Sequence, residues 1–256
     1  MAKKIDTAVI LAAGSGIRLR PKTYNIPKGF VEVGGQTLIE RSLKILHSNG
    51  IKNIIIGCGH LSKMYEEIQG EYNFDIYKNI EYQVSGSLYT LVLAEELVSD
   101  DFLILESDIM YEPRSIKALV EASEENLILA SGPTQSQDEV YIEADENMRF
   151  VTLNKNKNLV KQVSGELVGI TKISKDTLTS LCDLVRSDEA YKNWDYERGF
   201  TQVLDKHEFS VKKIDDLVWC EIDDENHLKR AKELIYPKLI QKVSLLYLLF
   251  FVPIAC

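Results

Sequence analysis

Unbroken apolar runs alternate with helical stripes through the first half of the chain. Thr7–Ala13 (TAVILAA), Asn53–Cys58 (NIIIGC) and Phe102–Glu106 (FLILE) lack the alternation of a half-solvated strand, which is the pattern of strands covered on both faces. Between the first two, Leu38, Ile39, Leu43 and Leu46 fall at helical spacing over Leu38–His47, and Asn49-Gly50 stops that helix. The pattern also predicts helices over Leu61–Ile68, Ser87–Val98 and Pro113–Ala122, and strands over Phe74–Tyr77 and Leu127–Ala130. This βαβ alternation predicts an α/β fold, a doubly wound, mostly parallel sheet with helices on both faces. Ligands of such sheets sit at the carboxyl ends of the strands.

From about Val140 the texture changes. VYIEADENMRFVTLNK reads as a hairpin closed through Asp145–Asn147, and GELVGITKI as a further strand. Helices follow near Lys175–Val185 and Tyr196–Lys206, then a strand LVWCEID and an amphipathic helix capped by Asp223 or Asp224. No repeat or Pro/Gly-rich linker divides the chain. The expected organisation is one domain over residues 1–242 with a small β-rich extension in its second half, followed by an apolar tail of unassigned role, residues 243–256. That tail, VSLLYLLFFVPIAC, is shorter than the roughly 20 residues needed to span a bilayer.

Composition narrows the partners. With 39 acidic against 30 basic residues the net charge is -9, which disfavours nucleic acid, since phosphate backbones need basic surfaces. The four cysteines, Cys58, Cys182, Cys220 and Cys256, form no CxxC pair, so zinc-finger and thioredoxin-like chemistry is not expected. Reduced thiols and the lack of a signal-peptide pattern fit a cytoplasmic location.

The first apolar run ends in LAAGSGIRLRPKTYNIPK, Leu11 to Lys28. Gly14-Ser15-Gly16 follows a strand, where bare backbone N–H groups can approach a phosphate, and Arg18 and Lys28 add positive charge. The spacing is neither a Walker A loop nor GxGxxG, because Leu19 stands where a third glycine would be. Pro21 and Pro27 keep a helix from starting directly after the glycines. The loop must therefore run on over its ligand. Alone, a GSG turn could equally be a simple connection.

The full string resembles the signature of the nucleotidyltransferases that join a nucleoside triphosphate to a sugar phosphate or amino-alcohol phosphate, L-A-A-G-x-G-x-R-L-x-P-x-T-x-x-x-P-K, with every fixed position present. The resemblance runs from Thr7 to about Ile235. It implies a nucleotide-binding fold, Mg²⁺ dependence and pyrophosphate release. Leu11, Ala12, Ala13, Gly14, Ser15 and Gly16 would contact the nucleotide, Arg18 the β- and γ-phosphates, and Lys28 the acceptor phosphate and the α-phosphate under attack.

Attack at a phosphorus needs charge neutralisation and alignment more than acid–base chemistry. Asp108 in LILESDIM and Asp223 in WCEIDDE each follow a strand; in isolation they read as well as a turn residue and a helix N-cap. The resemblance makes both the Mg²⁺ ligands, with Glu106 and Asp224 ranked below them. In EYQVSGSLYTLVLAEEL, Tyr82, Gln83, Ser85, Gly86 and Ser87 are the candidates for base and ribose, at the start of a helix. Overall resemblance favours the cytidylyltransferases, hence CTP. Phosphocholine enzymes of the group place aromatic residues where this chain has Leu88, Val140 and Asn193, whereas Glu139, Trp194, Asp195 and Glu197 remain as acceptor-binding candidates. A quaternary ammonium needs an aromatic cage, a primary one needs carboxylates or carbonyls. The expected acceptor is therefore a small zwitterionic phosphonate or phosphate ester bearing a primary amine, 2-aminoethylphosphonate foremost, with phosphocholine second and a catalytically silent nucleotide-binding regulator third. Relatives of that first kind are sometimes fused to a transaminase. The histidines read as structural or solvated, with His60 bordering the site.

Overall fold

The computed structural model describes residues 5–242 of the chain; the apolar run 243–256 lies outside the described residues. Strands β1 (Thr7–Ala12), β2 (Glu32–Val33), β3 (Gln36–Thr37), β4 (Asn53–Cys58), β5 (Asp75–Lys78), β6 (Phe102–Glu106) and β7 (Ile109–Tyr111) occupy the first half. They are followed by β8 (Leu127–Ser131), β9 (Tyr141–Ala144), β10 (Phe150–Asn154), β11 (Gly165–Ile173), β12 (Ser210–Ile214) and β13 (Trp219–Glu221). The helices are α1 (Leu38–Ser48), α2 (Ser62–Tyr72), α3 (Ser87–Val92), α4 (Arg114–Val120), α5 (Lys175–Ser187), α6 (Tyr196–Phe200) and α7 (Glu225–Arg230).

Nine strands form one sheet, ordered β10-β9-β11-β6-β1-β4-β5, with β8 also on β11 and β12 on β8. The β6, β1, β4, β5 ladders are parallel, as the unbroken apolar runs of β1, β4 and β6 require: Val9, Ile10, Ile56, Leu103 and Ile104 are each buried. The chain steps from β1 outward to β4 and β5, then returns past β1 to β6. The reversal leaves a crevice at the carboxyl ends of β1 and β6, the expected ligand position for such a sheet.

The β-rich extension is built on β11, antiparallel to β6, β8 and β9. All nine residues of β11 are buried. Its register on β8 shifts between Leu167 and Thr171, where Gly169 adopts φ +77°; the kink is a bulge that only glycine enters without strain. The hairpin expected over 140–155 is present as β9–β10.

Two helices end earlier than their patterns predict. Helix α3 stops at Val92 rather than Val98, where the following turns tighten, Ala94 N–H bonding Leu91 O and Leu97 N–H bonding Ala94 O. Helix α6 stops at Phe200 in the same way, with Gln202 and Val203 bonding three residues back. Of the two capping candidates the structure uses Asp224, which accepts the His227 N–H at 2.8 Å. Cys58, Cys182 and Cys220 are free and buried. No helix among the described residues is long and apolar enough to cross a membrane.

Candidate active site

A cleft of about 560 Å³ opens at the carboxyl ends of β1 and β6. Its first wall is the loop after β1. Gly16 turns at φ +60°, and a Cβ there would meet Lys28 Cγ and Thr23 Cγ2, both at 2.9 Å. The second glycine of the motif is thus the position over which the Lys28 stem passes. Thr23 Oγ1–H donates to the Gly16 carbonyl at 2.6 Å, and Leu19 is fully buried. His60, expected to border the site, ties the loop down: its backbone N–H donates to Ala13 O and its Nε2 pairs with Thr23 O. The loop is therefore pinned at several points, in three short 3-10 turns rather than a helix, as its prolines demand.

The pinning delivers the two cations to two strand ends. Lys28 Nζ lies 2.5 Å from Asp108 Oδ2 and also bonds Asp223 Oδ1. Arg18 reaches Asp223 Oδ2 at 2.7 Å and Asp138 Oδ2 at 2.6 Å. Burial opposes the charge on Lys28, but Asp108 and Asp223 outweigh it and hold the ammonium above the usual lysine range. Burial likewise works against ionised Asp223, and Lys28, Glu221 and Arg18 reverse that, keeping its carboxyl below the usual range. Arg18, Lys28, Asp108 and Asp223 thus share one cleft, although Lys28 and Asp223 stand 195 residues apart.

The acidic floor is larger than the sequence reading anticipated. Carboxylate oxygens of Glu106, Asp108 and Glu221 all lie within 4.8 Å of one another. Burial first, and then the surrounding negative charge, pushes Glu106 and Glu221 well above the ordinary carboxyl range. Gly169 makes room for this: a Cβ there would fall 2.4 Å from Glu106 Oε2. The missed signal was a repeat, Glu-x-Asp at the end of β6 (ESD) and again at the end of β13 (EID). A set made only of oxygen donors suits a hard cation such as Mg²⁺, so Glu106, Asp108 and Glu221 fit a divalent metal; Asp223, expected as the second ligand, lies outside that trio, its oxygens facing Lys28 and Arg18. Lys155, at the end of β10, and Asp138 were also missed; Lys155 Nζ pairs with Asp138 at 2.8 Å and lines the cleft.

The second wall carries the residues assigned to base and ribose. Leu11 through Gly16, Tyr82, Gln83, Ser85, Gly86 and Ser87 all line the cleft. Buried Asn79 organises this segment by donating to Ser85 Oγ and Thr90 Oγ1, both at 3.0 Å. The start of α3 is already occupied: Leu88 N–H donates to Trp194 O, and Ser87 Oγ accepts the Tyr196 N–H. A Cβ on Gly86 would meet the Trp194 carbonyl oxygen at 2.2 Å, and that oxygen is backbone. Gly86→Ala is therefore expected to displace the wall, raising the KM for nucleotide about tenfold and lowering the melting temperature by a few degrees, since overpacking against backbone costs about 1–3 kcal/mol. Steady-state kinetics and a thermal melt measure both effects.

Of the acceptor candidates, Glu139, Asp195 and Glu197 line the cleft. Glu139 accepts the Gln137 N–H at 3.1 Å, and burial together with Asp195 pushes Glu197 up to about 7. Trp194 is not among the lining residues. Its ring packs edge-on against Tyr191 and under Arg198, 3.6 Å from ring centroid to guanidinium carbon, and its contribution to the site is the backbone carbonyl that sets Gly86 and Leu88.

Comparison with known proteins bears on the family and the fold. The nucleotidyl transferase family model matches residues 7–153, more than half of the chain. The CTP:phosphoglutamine cytidylyltransferase of Campylobacter jejuni is 25% identical, the match covering 84% of this chain and 95% of that one. The CMP-5'-(3-aminopropyl)phosphonate synthase of Streptomyces rubellomurinus is 26% identical over 88% of this chain but only 38% of its own length. Among solved structures, the inositol-1-phosphate CTP transferase of T. maritima superposes with a TM-score of 0.80 at 20% identity, covering 100% of both chains.

Proposed function

The chain belongs to the nucleotidyl transferase family, and from that premise we propose that it transfers CMP from CTP to 2-aminoethylphosphonate with release of pyrophosphate. Support comes from the cleft. It holds the flap cations, the carboxylate floor and a further set of acidic residues, and its aromatic lining residues are Tyr82 and Trp219. Leu88 is buried away from solvent and Val140 and Asn193 are not aromatic, so Glu139, Asp195 and Glu197 are what an acceptor amine would meet. A primary ammonium donates to carboxylates; a quaternary one has nothing to donate. The names of the two curated relatives point the same way, one to CTP as donor and the other to an amino-phosphonate.

In the reaction an anionic phosphonate oxygen forms a bond to the α-phosphorus. The bond from that phosphorus to the α–β bridging oxygen breaks, and pyrophosphate leaves with the electron pair. No proton has to be removed from the acceptor. Lys28 aligns the acceptor phosphonate with the α-phosphate, and Arg18 neutralises the leaving group. Asp108 and Asp223 would hold Mg²⁺, which when bound would supply Lewis-acid stabilisation of phosphate oxygens. The backbone of Leu11–Gly16 holds the triphosphate, and Tyr82, Gln83 and Ser85 face the nucleoside.

The test is pyrophosphate release with CTP and either 2-aminoethylphosphonate or phosphocholine. The expected result is a kcat/KM preference of at least about tenfold for the primary amine, equivalent to one good charge-assisted contact. Preference for phosphocholine would overturn the acceptor assignment. That alternative has its own support, a choline-phosphate cytidylyltransferase of Streptococcus pneumoniae that is 37% identical over 38% of this chain. CTP binding without turnover on any acceptor would instead favour a silent regulator.

A further inference from the structure

Lys28 is in contact with both carboxylates assigned to the metal. Its ammonium bonds Oδ2 of Asp108 at 2.5 Å and Oδ1 of Asp223. Asp223 is fully buried, and the Lys28 and Asp108 side chains are only 17% and 14% exposed. Arg18 takes the second oxygen of Asp223, so both oxygens of that carboxylate face a cation of the chain itself. Lys28 Nζ bridges one oxygen of each carboxylate, so a divalent ion spanning Asp108 and Asp223 would have to share those two side chains with the ammonium. Ammonium and metal are therefore alternatives at this position, and the desolvated setting makes their competition strong.

The stem of Lys28 decides where the ammonium can go when it leaves. It runs across Gly16, whose missing side chain makes that path, and so stays beside the Gly14–Gly16 backbone that would hold phosphate. We propose that Lys28 acts as an internal counter-ion that keeps free divalent cations off Asp108 and Asp223, the metal gaining those oxygens only when the ammonium moves away. Lys28 would then have two partners in turn, the carboxylates first and phosphate afterwards. The inference rests on the proposed function in placing a divalent cation at Asp108 and Asp223 and phosphate beside Gly14–Gly16; its test uses neither CTP nor the acceptor.

Mn²⁺ binding by the nucleotide-free protein, read from the free-ion electron paramagnetic resonance signal, tests it directly. Circular dichroism first establishes that each variant is folded, and Lys28→Met stands in if Lys28→Gln is not. The wild type should bind Mn²⁺ weakly. Lys28→Gln should bind at least about tenfold more tightly, because one unit of competing charge in a partly buried site is removed. Lys28→Arg, which keeps the charge and can still pair with carboxylates, should remain as weak as wild type. Adding Asp223→Asn to Lys28→Gln should abolish the gain and thereby locate it. Equal Mn²⁺ affinity for wild type and Lys28→Gln would overturn the proposal, as would a Lys28→Arg protein that gains affinity like the neutral variants. These outcomes are independent of the acceptor assay, so a failed substrate assignment and a failed counter-ion role are told apart.

Discussion

Lys28→Ala is expected to lower kcat by about 10³-fold or more, the scale seen when a cation stabilising a transferring phosphoryl group is lost. In the proposed reaction two anions, the acceptor phosphonate and the α-phosphate, must approach within bonding distance. Lys28 is the cation whose reach covers both, since its stem crosses Gly16 and its ammonium stands at the ends of β6 and β13. Arg18 cannot substitute for it: its guanidinium is held from the far side by Asp138. The fold should survive, because the loop is anchored by Leu19 in the core, by the Thr23–Gly16 bond and by backbone turns that do not involve Nζ. Removing one member of a buried ion pair costs about 3–5 kcal/mol, so the melting temperature should fall markedly while the native circular dichroism spectrum is kept at low temperature. Both substrates should still bind, which separates this variant from one that cannot hold nucleotide. A Lys28→Ala enzyme with near-normal kcat would remove the central role given to this residue.

The parts of the molecule legible in the sequence are those set by local pattern. Strands β1, β4 and β6 were readable because burial on both faces demands unbroken apolar runs, and the loop from Leu11 to Lys28 because its glycines, prolines and cations each have a backbone or charge reason. The partnerships were not readable. Nothing local tells β11 to lie antiparallel between β6 and β8, and that choice creates the bulge at Gly169 and the space for Glu106. Asp138 meets Arg18 and Lys155 only because the β-rich extension folds back over a separation of 120 residues from Arg18 to Asp138. Trp194 shows the opposite error. An aromatic side chain next to acidic residues suggested ligand contact, while the structure uses its carbonyl to seat Gly86 and sends its ring to Tyr191 and Arg198. Side-chain type predicts chemistry, but which atom of a residue faces the cleft is settled by packing between distant elements.

Asp223→Asn should be nearly as damaging to turnover as loss of Lys28, by about 10³-fold, and for a different reason that kinetics can resolve. An amide keeps the shape and one oxygen of the carboxylate but loses the charge that makes it a Mg²⁺ ligand, so the Mg²⁺ concentration giving half-maximal rate should rise sharply. Lys28→Ala should produce no such rise. The stability change contains opposed effects. Neutralising Asp223 leaves Lys28 with Asp108 alone, frees Arg18 on one side and weakens the hydrogen bond from Glu221, yet it also relieves repulsion with buried Glu106. The balance depends on pH with a definite sign. The Asp223 carboxyl is held below its ordinary range in the folded protein, since Lys28 and Arg18 outweigh burial. Its contribution to stability is therefore fully present above the unfolded carboxyl pKa, near 4, and fades as the pH falls through the folded value. The gap in unfolding free energy between wild type and Asp223→Asn should accordingly be widest around neutral pH and narrow in acid, measured by urea unfolding at several pH values. A gap that widened in acid would mean that Asp223 is not held ionised by the cations of the loop. Wild-type Mg²⁺ dependence in the variant would mean that the metal is held without it, with Glu106, Asp108 and Glu221 then forming the ligand set.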